Sequence, residues 1–310
     1  MSNVLGDSLI RRLRKEKDLT IAELADGICS EEHLTRIERG GRVPSRWVFK
    51  MLMERLGENP NKYYTDVVTL EDKRVVNEKD KLKNLLRECT SEANKKAEEL
   101  ISKLESDKAF ETKENWQFLL MYKAALAYNR ENYVDLYNLA IEAMAVTKTD
   151  FDVDKIETYF LSSDEIWLVN QIGIAYFYTE TVEKSANVFR KLRVVIEKGC
   201  VEGDAMIHTY AALMYNLSKN LGILGEFNEC LEVCVKGIEW CIEHRESHHH
   251  PMIMFHKSCC MLHLNDRDGG TALLKQVYAF LKGLGRDGEL HQIKGYVAHQ
   301  FQISIDNLNI

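Results

Sequence analysis

A chain of 310 residues, 45% of them hydrophobic, has room for more than one core, and its formal charge of −7 excludes a protein that is basic throughout and coats a polyanion. No apolar run is long enough to cross a membrane and no signal peptide is visible, so a cytoplasmic protein is expected. The eight cysteines lack paired spacing, and two are adjacent (Cys259, Cys260), which fits reduced thiols rather than a disulfide framework.

Charge is unevenly shared. Residues 1–66 hold 12 Lys+Arg against 11 Asp+Glu, whereas the remainder holds 29 against 37. Only the N-terminal part suits a polyanion, with its basic side chains sorted onto one face. There, Leu9-Ile10-Arg11-Arg12-Leu13-Arg14 predicts a first helix. The stretch Leu19–Arg39 then reads as a helix-turn-helix: a short helix from Thr20, a turn at Gly27–Cys29, and a second helix from Ser30 to Arg39. Thr20 and Ser30 are N-cap residues, with Glu23 three positions after the first and Glu32 two after the second. Ala25 is small where the helices cross, and Leu24, Ile28, Leu34 and Ile37 supply the apolar face that locks them. Pro44-Ser45 opens a helix over Ser45–Leu56 with Trp47, Val48, Met51 and Leu52 inward. Asn59-Pro60 stops it, and Pro60–Val67 is expected as a fifth short helix.

Five compact helices with these residues resemble the lambda-repressor/Cro-like (XRE-type) DNA-binding domain. The carriers are Arg14, the run Leu19, Thr20, Glu23, Leu24, Ala25, and the run Arg36 to Gly40 followed by Pro44 and Ser45. The resemblance implies a structural ion pair between Arg14 and Glu38. Two positions depart from the pattern: Ile21 stands where the family usually has a phosphate-binding Gln, and Cys29 where the turn usually has Gly. The N-terminal half of the second helix lies toward base edges in such domains, which makes Ser30, Glu32, His33 and Arg36 the candidate readers, with Glu31 a helix-end charge. Arg36 has the fork for guanine O6/N7, and Glu32 can accept from cytosine N4. Arg42 and Arg46 suit phosphates, beside the Gly40-Gly41 backbone and the Ser45 helix start.

Residues 1–67 are therefore expected as the DNA-binding domain, 68–78 as a charged connector and 79–310 as a repeat domain. Beyond the connector the chain reads as all helical, first through about Leu104 and then as pairs split by polar turns at Asn129–Asn132, Thr179–Val182, Leu224–Glu226 and Asn265–Gly269. A small residue and a larger one follow each turn, as in Ala186/Phe189, Cys230/Cys234 and Ala272/Lys275. The intervals are 44 and 42 residues, longer than the tetratricopeptide period of about 34 but with the same packing logic. Gly225-Glu226-Phe227 before Cys230 looks like a degenerate G-x-Y-x-x-A element. About five tetratricopeptide-type hairpins and a capping helix near Leu290–Ser304 are expected. The fold class is all-α: a lambda-repressor-like domain followed by a tetratricopeptide-type α-solenoid.

That combination resembles the peptide-pheromone-responsive regulators of Gram-positive bacteria, the Rgg/PlcR/PrgX/NprR group. The resemblance implies a quorum-sensing homodimer on a pseudo-palindrome of double-stranded DNA, with a short signalling peptide in the concave face of the repeats. Asn170 and Asn216 lie at near-equivalent places 46 residues apart. In the resembling family, asparagines on those inner faces clamp the ligand backbone. Lys83, Arg87 and Lys123 are candidates to meet a peptide carboxylate, and Tyr176 and Tyr210 to line side-chain pockets. A different class of function stays open, a repeat module that binds and inhibits another protein.

The remaining patterns are weaker. His248, His249, His250, His256, Cys259, Cys260 and His263 form a His/Cys-dense segment, but no carboxylate or C-x-x-C framework completes a metal site. Cys230, Cys234 and Cys241 share one helical face and read as core thiols, and Trp116, Trp167 and Trp240 as packing residues. No phosphate loop, nucleophile elbow or paired catalytic carboxylates are present, so neither enzymatic activity nor a cofactor is expected.

Overall fold

A computed structural model describes residues 4–42, 44–58, 60, 70–88, 90–198 and 204–305. Every extended element among them is helical. The helix-turn-helix region holds α1 (Val4–Glu16), α2 (Ile21–Ala25), α3 (Glu31–Glu38) and α4 (Arg46–Arg55). The caps fall where the sequence puts them. Thr20 accepts from the Glu23 N–H while Glu23 reaches back to the Thr20 N–H, a reciprocal capping box. Ser30 and Ser45 accept from the amides of His33 and Val48. Leu24, Ala25, Ile28, Leu34 and Ile37 close on Leu9, Ile10, Leu13, Trp47, Val48, Met51 and Leu52 in one core. The expected fifth helix, Pro60–Val67, lies outside the described residues apart from Pro60.

The remaining helices are α5 (Leu70–Arg87), α6 (Ser91–Glu105), α7 (Lys113–Asn129), α8 (Tyr133–Ala145), α9 (Ser163–Thr179), α10 (Val182–Lys198), α11 (Asp204–Leu224), α12 (Phe227–Glu243), α13 (His250–His263), α14 (Arg267–Gly283) and α15 (Asp287–Phe301). Successive helices pack as the pairs α5/α6, α7/α8, α9/α10, α11/α12 and α13/α14, followed by α15. The charged stretch read as a connector is thus helical from Leu70 onward. Two compact units result, residues 1–203 and 204–310.

Several turns between paired helices close by Schellman geometry, which satisfies carbonyls that a helix end leaves bare. After α7, Glu131 N–H bonds Tyr128 O and Asn132 N–H bonds Ala127 O; after α11, Gly225 and Glu226 do the same to Gly222 and Leu221. Where paired helices touch, one side chain donates to the opposite backbone: Ser185 Oγ to Gly173 O at 2.7 Å, Cys230 Sγ to Ser218 O at 3.2 Å, and Ser258 Oγ to Gly270 O at 2.8 Å. Each pair is 12 residues apart. This corrects the register read from Ala272, which is exposed; the small residue at that contact is buried Gly270, whose added Cβ would stand 2.8 Å from Leu262.

The start of α13 rests on a single carboxylate. Glu246, with no exposed side-chain surface, accepts from the backbone N–H of His248 and His249 at 3.0 and 3.1 Å. Burial opposes its ionisation, but the nearby His249 imidazole, 3.6 Å away, and the backbone N–H bonds override it and hold the carboxyl at about 2. A depressed carboxylate stabilises the fold above its unfolded value and loses that contribution as pH falls through the folded one. Stability should therefore fall between about pH 5 and 2, and Glu246→Gln should remove on the order of 3 kcal/mol of it at neutral pH. Thermal melts across pH check this: the two chains should differ most near neutrality and converge in acid, and parallel curves would contradict it.

Candidate DNA-reading site

The site begins with how α3 is held. Arg14 on α1 makes a two-pronged bond to Glu38 on α3, Nε to Oε1 at 2.6 Å and Nη2 to Oε2 at 2.8 Å, and its third nitrogen reaches Leu19 O at 2.9 Å. The ion pair implied by the family resemblance is present, and it ties α1, α3 and the entry to α2 together. At the far end, Gly40 takes φ +76°, and Gly41 N–H bonds Arg36 O while Gly40 N–H bonds Ile37 O, so α3 also stops in a Schellman turn.

With Leu34, Ile37 and Glu38 buried, the opposite face of α3 is left outward. Glu31, Glu32 and Arg36 are exposed there, and His33 is half-buried. Arg36 Nη2 lies 2.6 Å from Glu32 Oε1, and both side chains are mostly exposed, 60% and 76%. Such a pair is held weakly in water and opens at little cost when a stronger partner arrives. His33 Nε2 is enclosed and has no hydrogen-bond partner. Burial, followed by the charges of Arg42 and Arg36, pushes its imidazole below the usual range, so the ring is neutral at neutral pH. Arg42 is exposed. Arg46 opens α4, but its side chain lies outside the described residues.

The candidate ligand residues lie on α5, α7, α9 and α11. Lys83 pairs with Asp80 on its own helix at 3.3 Å, and Arg87 is exposed near the end of α5. Lys123 meets Glu105 of α6 at 2.8 Å, beside a cavity of about 320 Å³ between α6, α7 and α8. Asn170 is buried within α9, and Tyr176 stacks on Tyr137 of α8 with ring centres 5.4 Å apart. In the second unit, Tyr210 is buried against Trp240, while Asn216 is half-buried.

Sequence reasoning missed a polar layer next to Asn216. Ser218 Oγ stands 2.8 Å from His256 Nδ1, joining the first helices of two successive pairs, and Tyr215 stacks on the same imidazole. Burial, aided by Lys219, drives His256 down to about 3. Its only sequence signal was a histidine inside a helix that also carried the supposed metal pattern. Among the described residues no cluster of His, Cys, Asp and Glu able to hold a metal ion occurs, and the described cysteines are free thiols. No described helix is long and apolar enough to cross a membrane.

A family model described as a helix-turn-helix domain matches residues 8–61. No curated protein matches the sequence. Among solved structures, the fold is similar to PlcR of Bacillus thuringiensis in complex with the peptide PapR7 and DNA, at 18% identity, covering 93% of this chain and 98% of that one, with a TM-score of 0.57. The apo form of PlcR gives the same TM-score at 16% identity, over 95% of this chain and 99% of its own. ComR from Streptococcus vestibularis with its cognate signalling peptide XIP is 15% identical over 96% of this chain and 99% of its own, with a TM-score of 0.52. At these identities the likeness is one of fold. The fold is accordingly an all-α one, a helix-turn-helix domain followed by tetratricopeptide-type helix pairs.

Proposed function

We propose that the chain is a cytoplasmic, sequence-specific DNA-binding transcriptional regulator, not an enzyme, whose affinity for its operator is set by a short signalling peptide held in the repeat domain. The observation that carries this reading is α3: its apolar side is locked into the domain core while Glu32 and Arg36 stand outward, with half-buried His33 between them and Arg42 exposed nearby. The helix-turn-helix match over residues 8–61 supports it. So does the whole-length likeness in fold to PlcR solved with a peptide and DNA and to ComR solved with its signalling peptide. Ser30 and the Gly40-Gly41 backbone sit at the ends of α3, and with Arg42 and Arg46 they are the proposed phosphate and edge contacts. Asn170 and Tyr176 in the first unit, and Asn216 in the second, are the proposed peptide contacts, with Lys83, Arg87, Lys123 and Tyr210 as further candidates.

One recognition helix buries too little surface for a genomic search, so the active form is a homodimer on two half-sites. Peptide acts by favouring one of two arrangements of the repeats, which requires unequal affinity for them. Arg36→Ala should cost about 1–3 kcal/mol of specific binding and leave non-specific binding nearly unchanged, since its fork is a base contact. Titration against an operator selected from random duplexes, beside a scrambled duplex, tests this. Equal losses on both would remove Arg36 from the base-reading set.

A further inference from the structure

The domain that carries α3 also has a second polar face, and it is packed against the helix pairs of the same unit. Lys50 of α4 meets Asp164 at 2.7 Å, and Glu54 of α4 accepts from Ser163, from its N–H at 3.2 Å and its Oγ at 2.9 Å. Ser163 and Asp164 are the first residues of α9, so Glu54 places a carboxylate on the positive end of that helix. Beside it, Lys148 Nζ lies 2.9 Å from Asp26 Oδ2, and Arg55 donates to Leu24 O and Asp26 O at the end of α2. The turn between α2 and α3 closes the contact. Gly27, at φ +70°, sits so near Thr147 that an added Cβ would stand 1.7 Å from the Thr147 carbonyl oxygen. Thr147 is itself held by Gln117 Nε2 at 3.2 Å and Glu165 Oε1 at 2.6 Å.

Three features give this face a role beyond packing. It leaves α3 outward, with Glu31, Glu32, Arg36, Arg39 and Arg42 all exposed while the domain is docked. It is built of matched charges around the buried Glu54 and Lys148, whose partners Lys50 and Asp164 are half-buried and Asp26 mostly exposed, and a buried charge held this way fixes geometry more than it adds stability. And it grips the N-terminus of α9, the helix that carries Asn170 and Tyr176 further along. We propose that Lys50, Glu54, Asp164 and the Asp26–Lys148 pair are positioning residues that set the angle at which α3 is presented, and so determine the half-site spacing a dimer accepts. This rests on the DNA-reading function proposed above. None of these residues touches DNA in this account; they act through α3.

Asp164→Ala and Lys148→Met remove one side of each pair from the repeat side, leaving the core of the reading domain untouched. Operators are first selected from random duplexes by the unaltered chain, and then rebuilt with spacers lengthened or shortened one base pair at a time, beside a single half-site. The unaltered chain should lose about tenfold or more off its preferred spacing, whereas either variant should show a flattened profile, within about threefold across spacers. Both should keep single half-site affinity within about twofold of the unaltered chain, and Asp164→Glu should restore the steep profile. Hydrogen exchange at residues 24–29 and 147–149 should quicken at least about tenfold in the two variants, reporting that the contact has opened.

A steep profile retained by both variants while exchange at those residues quickens would overturn the positioning role and leave DNA reading intact. Tighter or weaker binding to the single half-site would also overturn it, because the face would then control access to α3, not its angle. An unaltered chain that selects no duplex refutes the DNA-reading function itself, and the spacing role with it.

Discussion

Gly27→Val should be one of the two most destabilising single changes in the reading domain. The residue takes φ +70°, where a β-branched side chain is strained, and its Cβ would stand 1.7 Å from Thr147 O. Thr147 is tethered in place, since Gln117 donates to its hydroxyl and the hydroxyl donates to Glu165. Left-handed strain and overpacking together should cost about 2–5 kcal/mol. Part of that cost is avoidable only by parting the domain from Thr147. A lowered melting temperature with faster hydrogen exchange at residues 24–29 is therefore expected. Gly222→Ala is the contrasting control. That glycine lies inside α11, nothing lies within 4 Å of its added Cβ, and the change should stabilise by about 0.5–1 kcal/mol. If the two variants melt alike, the close approach at Gly27 is not real.

Arg14→Met should be comparably damaging. Glu38 is 5% exposed, and without its two-pronged partner it is a buried carboxylate with no countercharge. Breaking a buried pair from one side costs about 3–5 kcal/mol, and replacing both members by apolar groups is often close to neutral. Arg14→Met should therefore unfold the reading domain in mild urea and abolish binding to all duplexes alike, unlike Arg36→Ala. The double variant Arg14→Met, Glu38→Leu should recover most of the stability. A double variant as unstable as the single one would show that Arg14 contributes through its bond to Leu19 O instead.

The reading domain was legible because its determinants are local. Thr20 with Glu23 and Ser30 with the His33 amide are capping contacts three residues apart, and the apolar spacing between them fixes which face is buried. The turns of the repeat region were legible for the same reason. Its register was not, because many alanines and cysteines satisfy a small-residue rule. Ala272 and Gly270 differ by two positions yet face opposite ways, and only the recurrent 12-residue spacing of Gly173/Ser185, Ser218/Cys230 and Ser258/Gly270 separates them.

The docking face left no trace in sequence. Lys50 and Asp164 are 114 residues apart, and Asp26 and Lys148 are 122 apart, so no periodicity links them. The partners of the ligand candidates were not legible for a related reason. A lysine such as Lys123 reads as available in sequence, but the fold supplies Glu105 at 2.8 Å. Polar residues in repeat helices have neighbours on several sides, and their spacing does not say which neighbour takes them up.

Peptide-controlled DNA binding is the claim everything else depends on, and one titration meets it head on. The chain, purified from its native cells and stripped of small molecules, is titrated onto its selected duplex across a range of salt, with and without the peptide fraction of that cell extract. A steep fall of affinity with salt is expected, along with a change of at least about tenfold in affinity when the peptide fraction returns. Salt-insensitive binding, or affinity the same with and without that fraction, would contradict the account.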